Sequence, residues 1–133
     1  TENPDISRIT IVVHGDRAIT EQIIRQVEKL VDVRKVYEMT SEGSIQRELV
    51  LIKLSADEST RTHLVEIGEL FKAKVIDVTP STITMQLTGS LDKLDSFLEL
   101  VKPYGIVELV RTGMTALERG SRPLSETTFG DEG

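Results

Sequence analysis

Between Glu48 and Arg111 the spacing of apolar residues switches repeatedly between a period of two and a helical period, and the order of those switches admits few folds. Leu49-Val50-Leu51-Ile52 followed by Leu54 makes Glu48 to Ser55 a nearly continuous apolar run. Such a run suits a central strand covered on at least one face. Leu64, Ile67 and Phe71 then share one side of a helix expected from about Ser59 to Lys72. Lys74 to Val78 reads as a strand and Thr79-Pro80-Ser81 as a turn. Ile83, Met85 and Leu87, alternating with Thr84, Gln86 and Thr88, supply the second arm of a hairpin. Ser90 is placed to cap a helix whose Leu91, Leu94, Leu98 and Val101 recur at helical spacing, and Pro103-Tyr104-Gly105 stops it. Ile106 to Val110 is the last strand. The order is βαββαβ, which right-handed crossovers fold into a four-stranded antiparallel sheet with both helices on one face. The fold class is α+β, a ferredoxin-like sandwich.

The front of the chain repeats the rear half of that unit. Ile9, Ile11 and Val13 alternate as a strand, Gly15-Asp16 ends it, and Ile19, Ile23, Val27 and Leu30 mark a helix from Arg17 to about Val31 with Asp16 as its N-cap. Val33, Val36 and Tyr37 suggest another strand. Gly15 and Gly89 lie 74 positions apart, and the same shift lays Ile9-Thr10-Ile11 over Ile83-Thr84-Met85, Ile23 over Phe97, Val27 over Val101 and Val33 over Val107. Residues 1–40 therefore read as the second half, βαβ, of another ferredoxin-like module. Thr40-Ser41-Glu42-Gly43-Ser44 places a linker at 41–47, the complete module occupies 48–120, and the Ser/Thr/Gly-rich stretch 121–133 is expected to be a disordered tail. About 40 residues are near the lower limit for folding alone, so the front segment should need another surface.

Composition narrows the chemistry. The absence of cysteine removes disulfides, thiolate metal sites and thiol nucleophiles, and a formal charge of −6 disfavours a nucleic-acid partner. No apolar run approaches the roughly 20 residues of a membrane helix, and Thr1-Glu2-Asn3-Pro4-Asp5 lacks the pattern of a signal peptide. His63 and Glu66 stand three apart on a helix, without a clear third ligand nearby. His14 reads as a strand-end residue and Gly89-Ser90 as a strand end plus helix cap, with no Gly-x-Ser-x-Gly elbow around it. Phosphate-binding glycine loops are absent. RNA-reading sheets stack bases on strand aromatics, and Tyr37 is the one aromatic placed where a strand is expected. Ser55-Ala56-Asp57-Glu58 is acidic where an acylphosphatase-like enzyme would need an anion-cradling loop. No catalytic, cofactor or metal residue is assigned.

Several blocks resemble the acetolactate (acetohydroxyacid) synthase small-subunit family. They are Pro4-Asp5-Ile6-Ser7-Arg8-Ile9-Thr10-Ile11-Val12-Val13, Gln26-Val27-Glu28-Lys29-Leu30-Val31-Asp32-Val33, and Arg47-Glu48-Leu49-Val50-Leu51-Ile52-Lys53. Leu87-Thr88-Gly89 with Asp92-Lys93, Tyr104-Gly105-Ile106, Arg111-Thr112-Gly113 and Ala116-Leu117-Glu118-Arg119-Gly120 continue the resemblance in order. It implies an ACT domain followed by a second ferredoxin-like domain, in agreement with the repeat. It also implies a non-catalytic regulatory subunit that forms a homodimer through its ACT domains. That subunit activates a large catalytic subunit carrying thiamine diphosphate, Mg and FAD, and confers feedback by valine or another branched-chain amino acid. The expected location is the bacterial cytoplasm or the plastid stroma. The family's effector loop, the turn after the first ACT strand, has no counterpart in these residues, so the effector-binding residues stay unknown. A stand-alone amino-acid-sensing ACT domain is the alternative.

Overall fold

The computed structural model describes residues 7–121. The chain divides into two compact units, one formed by the residues up to Ile45 together with those from Ala116 onward, the other by Gln46 to Thr115.

The second unit is built around β1 (Ser44–Ser55), whose last ten residues lie in it. There follow α2 (Glu58–Leu70), β2 (Lys74–Val78), β3 (Thr82–Gly89), α3 (Leu91–Val101), a short 3-10 turn over Lys102–Tyr104, and β4 (Ile106–Arg111). The strands hydrogen-bond in the order β2-β3-β1-β4, and each of these pairs is antiparallel. This is the expected βαββαβ topology. Alternation decides which side chains enter the core. Val50, Ile52 and Leu54 of β1 and Ile83, Met85 and Leu87 of β3 are buried, packed with Leu64 of α2 and Leu94, Phe97 and Val101 of α3. The rings of Phe71 and Phe97 meet edge to face with centroids 5.5 Å apart. Burial of such side chains contributes about 1.5–3 kcal/mol each before chain entropy is counted. Gly105, at φ +101°, turns the chain out of the 3-10 segment, and a Cβ there would come within 3.3 Å of the Ser55 hydroxyl. Glycine meets both demands.

α2 begins one residue earlier than expected, because Asp57 rather than a later residue caps it. The Asp57 carboxylate accepts from the Thr60 N–H at 2.8 Å, while the Thr60 hydroxyl accepts from the Asp57 N–H at 2.9 Å. That reciprocal pair is a capping box. The helix ends in a Schellman arrangement: the Lys72 N–H donates to Glu69 O and the Ala73 N–H to Gly68 O. Lys72 takes the left-handed conformation there, at φ 59°.

In the first unit, α1 (Arg17–Glu28) is capped by Asp16, whose carboxylate accepts from the Ile19 N–H at 3.0 Å. The repeat holds at the helices, since α1 and α3 start 74 positions apart, each directly after its capping residue. The flanking strands expected at Ile9–Val13 and Val33–Tyr37 do not form; both segments lack regular structure. In a βαββαβ sheet the third and fourth strands do not touch each other, and each borders the first. Among the described residues no such strand lies beside them. Ile9, Ile11 and Val12 are accordingly exposed, and in α1 Ile24 is the one buried residue, outside the expected stripe of Ile19, Ile23, Val27 and Leu30.

Two further bounds differ from expectation. β1 starts at Ser44, inside the stretch 41–47 read as a linker, and a fifth strand, β5 (Thr115–Glu118), pairs with β1. The Arg119 N–H donates to Gly43 O at 3.0 Å and the Thr115 hydroxyl to Arg47 O at 3.0 Å. A polar sequence such as Ser44-Ile45-Gln46-Arg47 lacks the apolar signature of a strand, and backbone pairing supplies the order instead. The tail expected at 121–133 lies, from residue 122, outside the described residues.

Candidate functional site

The polar groups with the most specific geometry gather where β1 enters the second unit. Alternation points Glu48 inward, in line with Val50, Ile52 and Leu54, and its residue is only 6% exposed. Its carboxylate takes both forks of Arg111, from Nη2 at 2.6 Å and Nε at 3.1 Å, and also accepts from the Gly113 N–H at 3.0 Å. Two lone-pair directions per oxygen make such bidentate pairing possible, and the charge assistance makes it strong. The Arg111 hydrogen bonds hold the Glu48 carboxyl below its ordinary range, against the opposing push of burial, with the Arg111 charge and the Gly113 N–H adding to the same direction. The Thr112 hydroxyl adds a bond from the Leu49 N–H at 3.0 Å. The end of β4 and the Arg111-Thr112-Gly113 turn are thereby fixed to β1. Sequence reading did not single out Glu48; the available signal was a charge at an inward position of an apolar strand.

In the first unit, Arg17 reaches Glu38 and, at 3.1 Å, Glu21. The Arg8 guanidinium donates to Ala116 O at 2.6 Å. The Arg17 contacts join the helix to the segment after it, and the Arg8 bond joins the segment before the helix to β5, all within that unit.

The residues weighed as catalytic or metal-binding candidates do not come together. His14 is exposed beside Gly15, His63 and Glu66 are exposed on α2, and among the described residues no group of three or more His, Cys, Asp or Glu is placed to hold a metal ion. Ser90 caps α3 through a bond from the Lys93 N–H. Asp57 likewise caps its helix, and the Thr60 N–H with the Ser59 and Thr60 hydroxyls pulls its carboxyl down to about 2. Tyr37 lies outside any strand, while Phe71 and Phe97 belong to the helix-covered core. An open depression of about 490 Å³ beside the N-terminal turn of α2 is lined by Glu58, Arg61, Val78, Thr79 and Pro80. Arg61 spends its Nη2 on the Thr79 and Pro80 carbonyls, which fixes the β2–β3 turn to the helix. Among the described residues, no helix is long and apolar enough to cross a membrane.

What the surface offers is sheet and edge. All five residues of β2 and all six of β4 are exposed, including Val75, Ile76, Val78, Val107 and Val110. Such an arrangement suits recognition of another polypeptide better than enclosure of a substrate.

Comparison with known proteins decides the lineage. A family model described as the small subunit of acetolactate synthase matches residues 47–120, and one described as an AHAS small subunit-like ACT domain matches residues 1–35. The chain belongs to the acetolactate synthase small-subunit family. Over 125 residues it is 42% identical to the probable acetolactate synthase small subunit of Methanothermobacter thermautotrophicus, covering 93% of this chain and 74% of that protein. The acetolactate synthase small subunit of Bacillus subtilis is 46% identical over 124 residues, 92% of this chain and 72% of that one. The crystal structure of the small subunit from Thermotoga maritima superposes with a TM-score of 0.69 at 33% identity, over 82% of this chain and 68% of that chain. The ferredoxin-like, ACT-type fold of the chain rests on the same matches.

Proposed function

We propose that this chain is a regulatory subunit of acetolactate synthase without a reaction of its own. It binds the large, thiamine-diphosphate-dependent catalytic subunit, raises its activity, and makes it sensitive to valine or another branched-chain amino acid. The thiamine diphosphate, Mg and FAD of the assembly belong to that partner. The observation that carries the reading is the succession of the two matched modules, an ACT-type segment at 1–35 and the small-subunit domain at 47–120.

The mechanism follows from linkage. An amino acid held where two ACT modules of a homodimer meet favours one arrangement of the pair, and the catalytic subunit favours another. Effector and catalytic subunit then oppose one another through a coupling free energy, for which about 1–3 kcal/mol is typical. By reciprocity, bound catalytic subunit must weaken effector binding by the same factor. Calorimetry tests this directly: valine is titrated into a small subunit that carries the effector loop, alone and in complex with the catalytic subunit. A lower valine affinity in the complex, by roughly 5- to 150-fold, is expected. Equal affinity in both would remove the linkage, and failure of the two subunits to associate would remove the regulatory reading itself.

A further inference from the structure

β4 and β5 run along the same edge of β1, but they are not one unbroken strand. Val50 faces Arg111, and the Thr112 N–H donates to Leu49 O at 3.1 Å, a register that would bring Glu118 opposite Gly43. Instead the Arg119 N–H donates to Gly43 O. One extra residue has entered between the two strands, which makes a β-bulge. Gly113 stands in it at φ +84°, in the left-handed region that glycine adopts at no steric cost.

At the bulge, side chains take the place of the backbone ladder. The Leu49 N–H donates to the Thr112 hydroxyl oxygen, and the Gly113 N–H donates to the Glu48 carboxylate, each at 3.0 Å. Arg111, the last residue of β4, holds the same carboxylate with both forks. Beyond the bulge the Thr115 hydroxyl reaches Arg47 O, backbone pairing resumes along the four residues of β5, and Arg8 donates to Ala116 O. Met114 and Ala116 are buried, so packing supports the arrangement as well. Among the described residues β5 pairs with β1 and with no other strand.

We propose that residues 112–119 form a strap that opens from β1 and closes on it while the sheet of β1 to β4 stays folded, with the Glu48 carboxylate as its clasp. The pairs of β4 with Val50 to Leu54 lie on the other side of the bulge and persist whichever state the strap takes. β5 is short and paired on one side, so the clasp, its two buried side chains and the Arg8 bond decide whether it stays down. Opening breaks two things at once: the pairing at the start of β1, and the tie from β5 to the segment before α1. The opened strap leaves Ser44 to Arg47 as a free strand edge, the kind of surface to which another strand adds.

Native-state hydrogen exchange of the whole chain, in denaturant below its unfolding transition, tests the strap. The amides of Leu49, Gly113 and Arg119 should share one opening, about a hundredfold or more less protected than Val50, Ile52 and Met85. Their protection should also depend less on denaturant, because an opening strap exposes little surface. Glu48→Gln removes the charge of the clasp and should lower the protection of Gly113 and Arg119 about tenfold. Arg8→Gln removes the tie and should lower it several-fold. Phe97→Leu weakens the core equally in the closed and open forms. It should therefore lower the protection of Ile52 and Met85 about tenfold and leave Gly113 and Arg119 unchanged. Circular dichroism of each variant checks that the fold is kept. Three results would each overturn the strap: one protection level and denaturant dependence common to all these amides, Gly113 and Arg119 amides without protection in the unaltered chain, or strap and core protection falling together in Phe97→Leu. Unchanged Arg119 protection in Glu48→Gln would overturn the clasp, and in Arg8→Gln the tie.

Discussion

Glu48 occupies a place that the alternation of β1 reserves for an apolar side chain, and Arg111 with the Gly113 N–H makes the carboxylate tolerable there. Removing one partner of such a pair costs more than the pair contributes, because the other is left desolvated. Glu48→Ala should therefore lower the unfolding free energy by about 1–3 kcal/mol, less than the roughly 3–5 kcal/mol of a fully buried pair because the Arg111 side chain is 32% exposed. Denaturant unfolding of the two proteins measures it. The pH dependence has a definite sign. The Glu48 carboxyl is lowered from its ordinary 4.5 by folding, so its contribution is complete above that value and is lost as pH falls below it. Glu48→Gln should flatten the acid side of the stability profile and leave the alkaline side unchanged. Lys72 gives the opposite kind of prediction. It holds the left-handed position of a Schellman motif that glycine fills more easily, so Lys72→Gly should raise stability by about 0.5–1 kcal/mol in the same assay. At this scale the caps Asp16 and Ser90 were legible, because a short polar residue stands directly before a helical period. Glu48 and Asp57 were not, since their roles depend on groups 63 residues away in one case and on a reciprocal Thr60 bond in the other.

Among the elements, periodicity located each α-helix and strand between residues 48 and 111, though not the 3-10 turn at Lys102–Tyr104, because there each apolar face meets another inside one unit. Phe97 fell on a helix whose apolar stripe was drawn through Leu94, Leu98 and Val101, yet Phe97 is among the fully buried side chains and meets Phe71. Phe97→Ala should cost about 3–5 kcal/mol, read as a drop in the denaturation midpoint without change of slope. In residues 7–45 the same reasoning located α1 but foresaw strands that do not form. Alternation at Ile9, Ile11 and Val13 states which face would be buried; it cannot supply the neighbouring backbone. Hydrogen exchange distinguishes the two regions. The amides of Ile9–Val13 and Val33–Tyr37 should exchange far faster than those of Val50, Ile52 and Met85, whose strands are paired on both sides. Similar protection in both sets would contradict this account of the front segment. β5 escaped notice because it is four residues long, and the polar start of β1 that was read as a linker has no apolar stripe to announce it.

At the scale of the whole molecule, the functional reading starts from the family match. The described residues bring no candidate acid, base or ligand set together, while strand edges and sheet surface are plentiful. The family match identifies the lineage, and it is the two-module succession that makes allosteric control of a separate catalytic chain the natural reading. The most direct test adds the purified chain in rising amounts to a fixed quantity of the acetolactate synthase catalytic subunit from the same source and follows acetolactate formation with and without valine. The account predicts activity that climbs to saturation at a fixed subunit ratio, and that valine lowers it only when the small subunit added carries the family's effector loop. Activity that stays at the level of the catalytic subunit alone across the titration, with no complex formed, would contradict it.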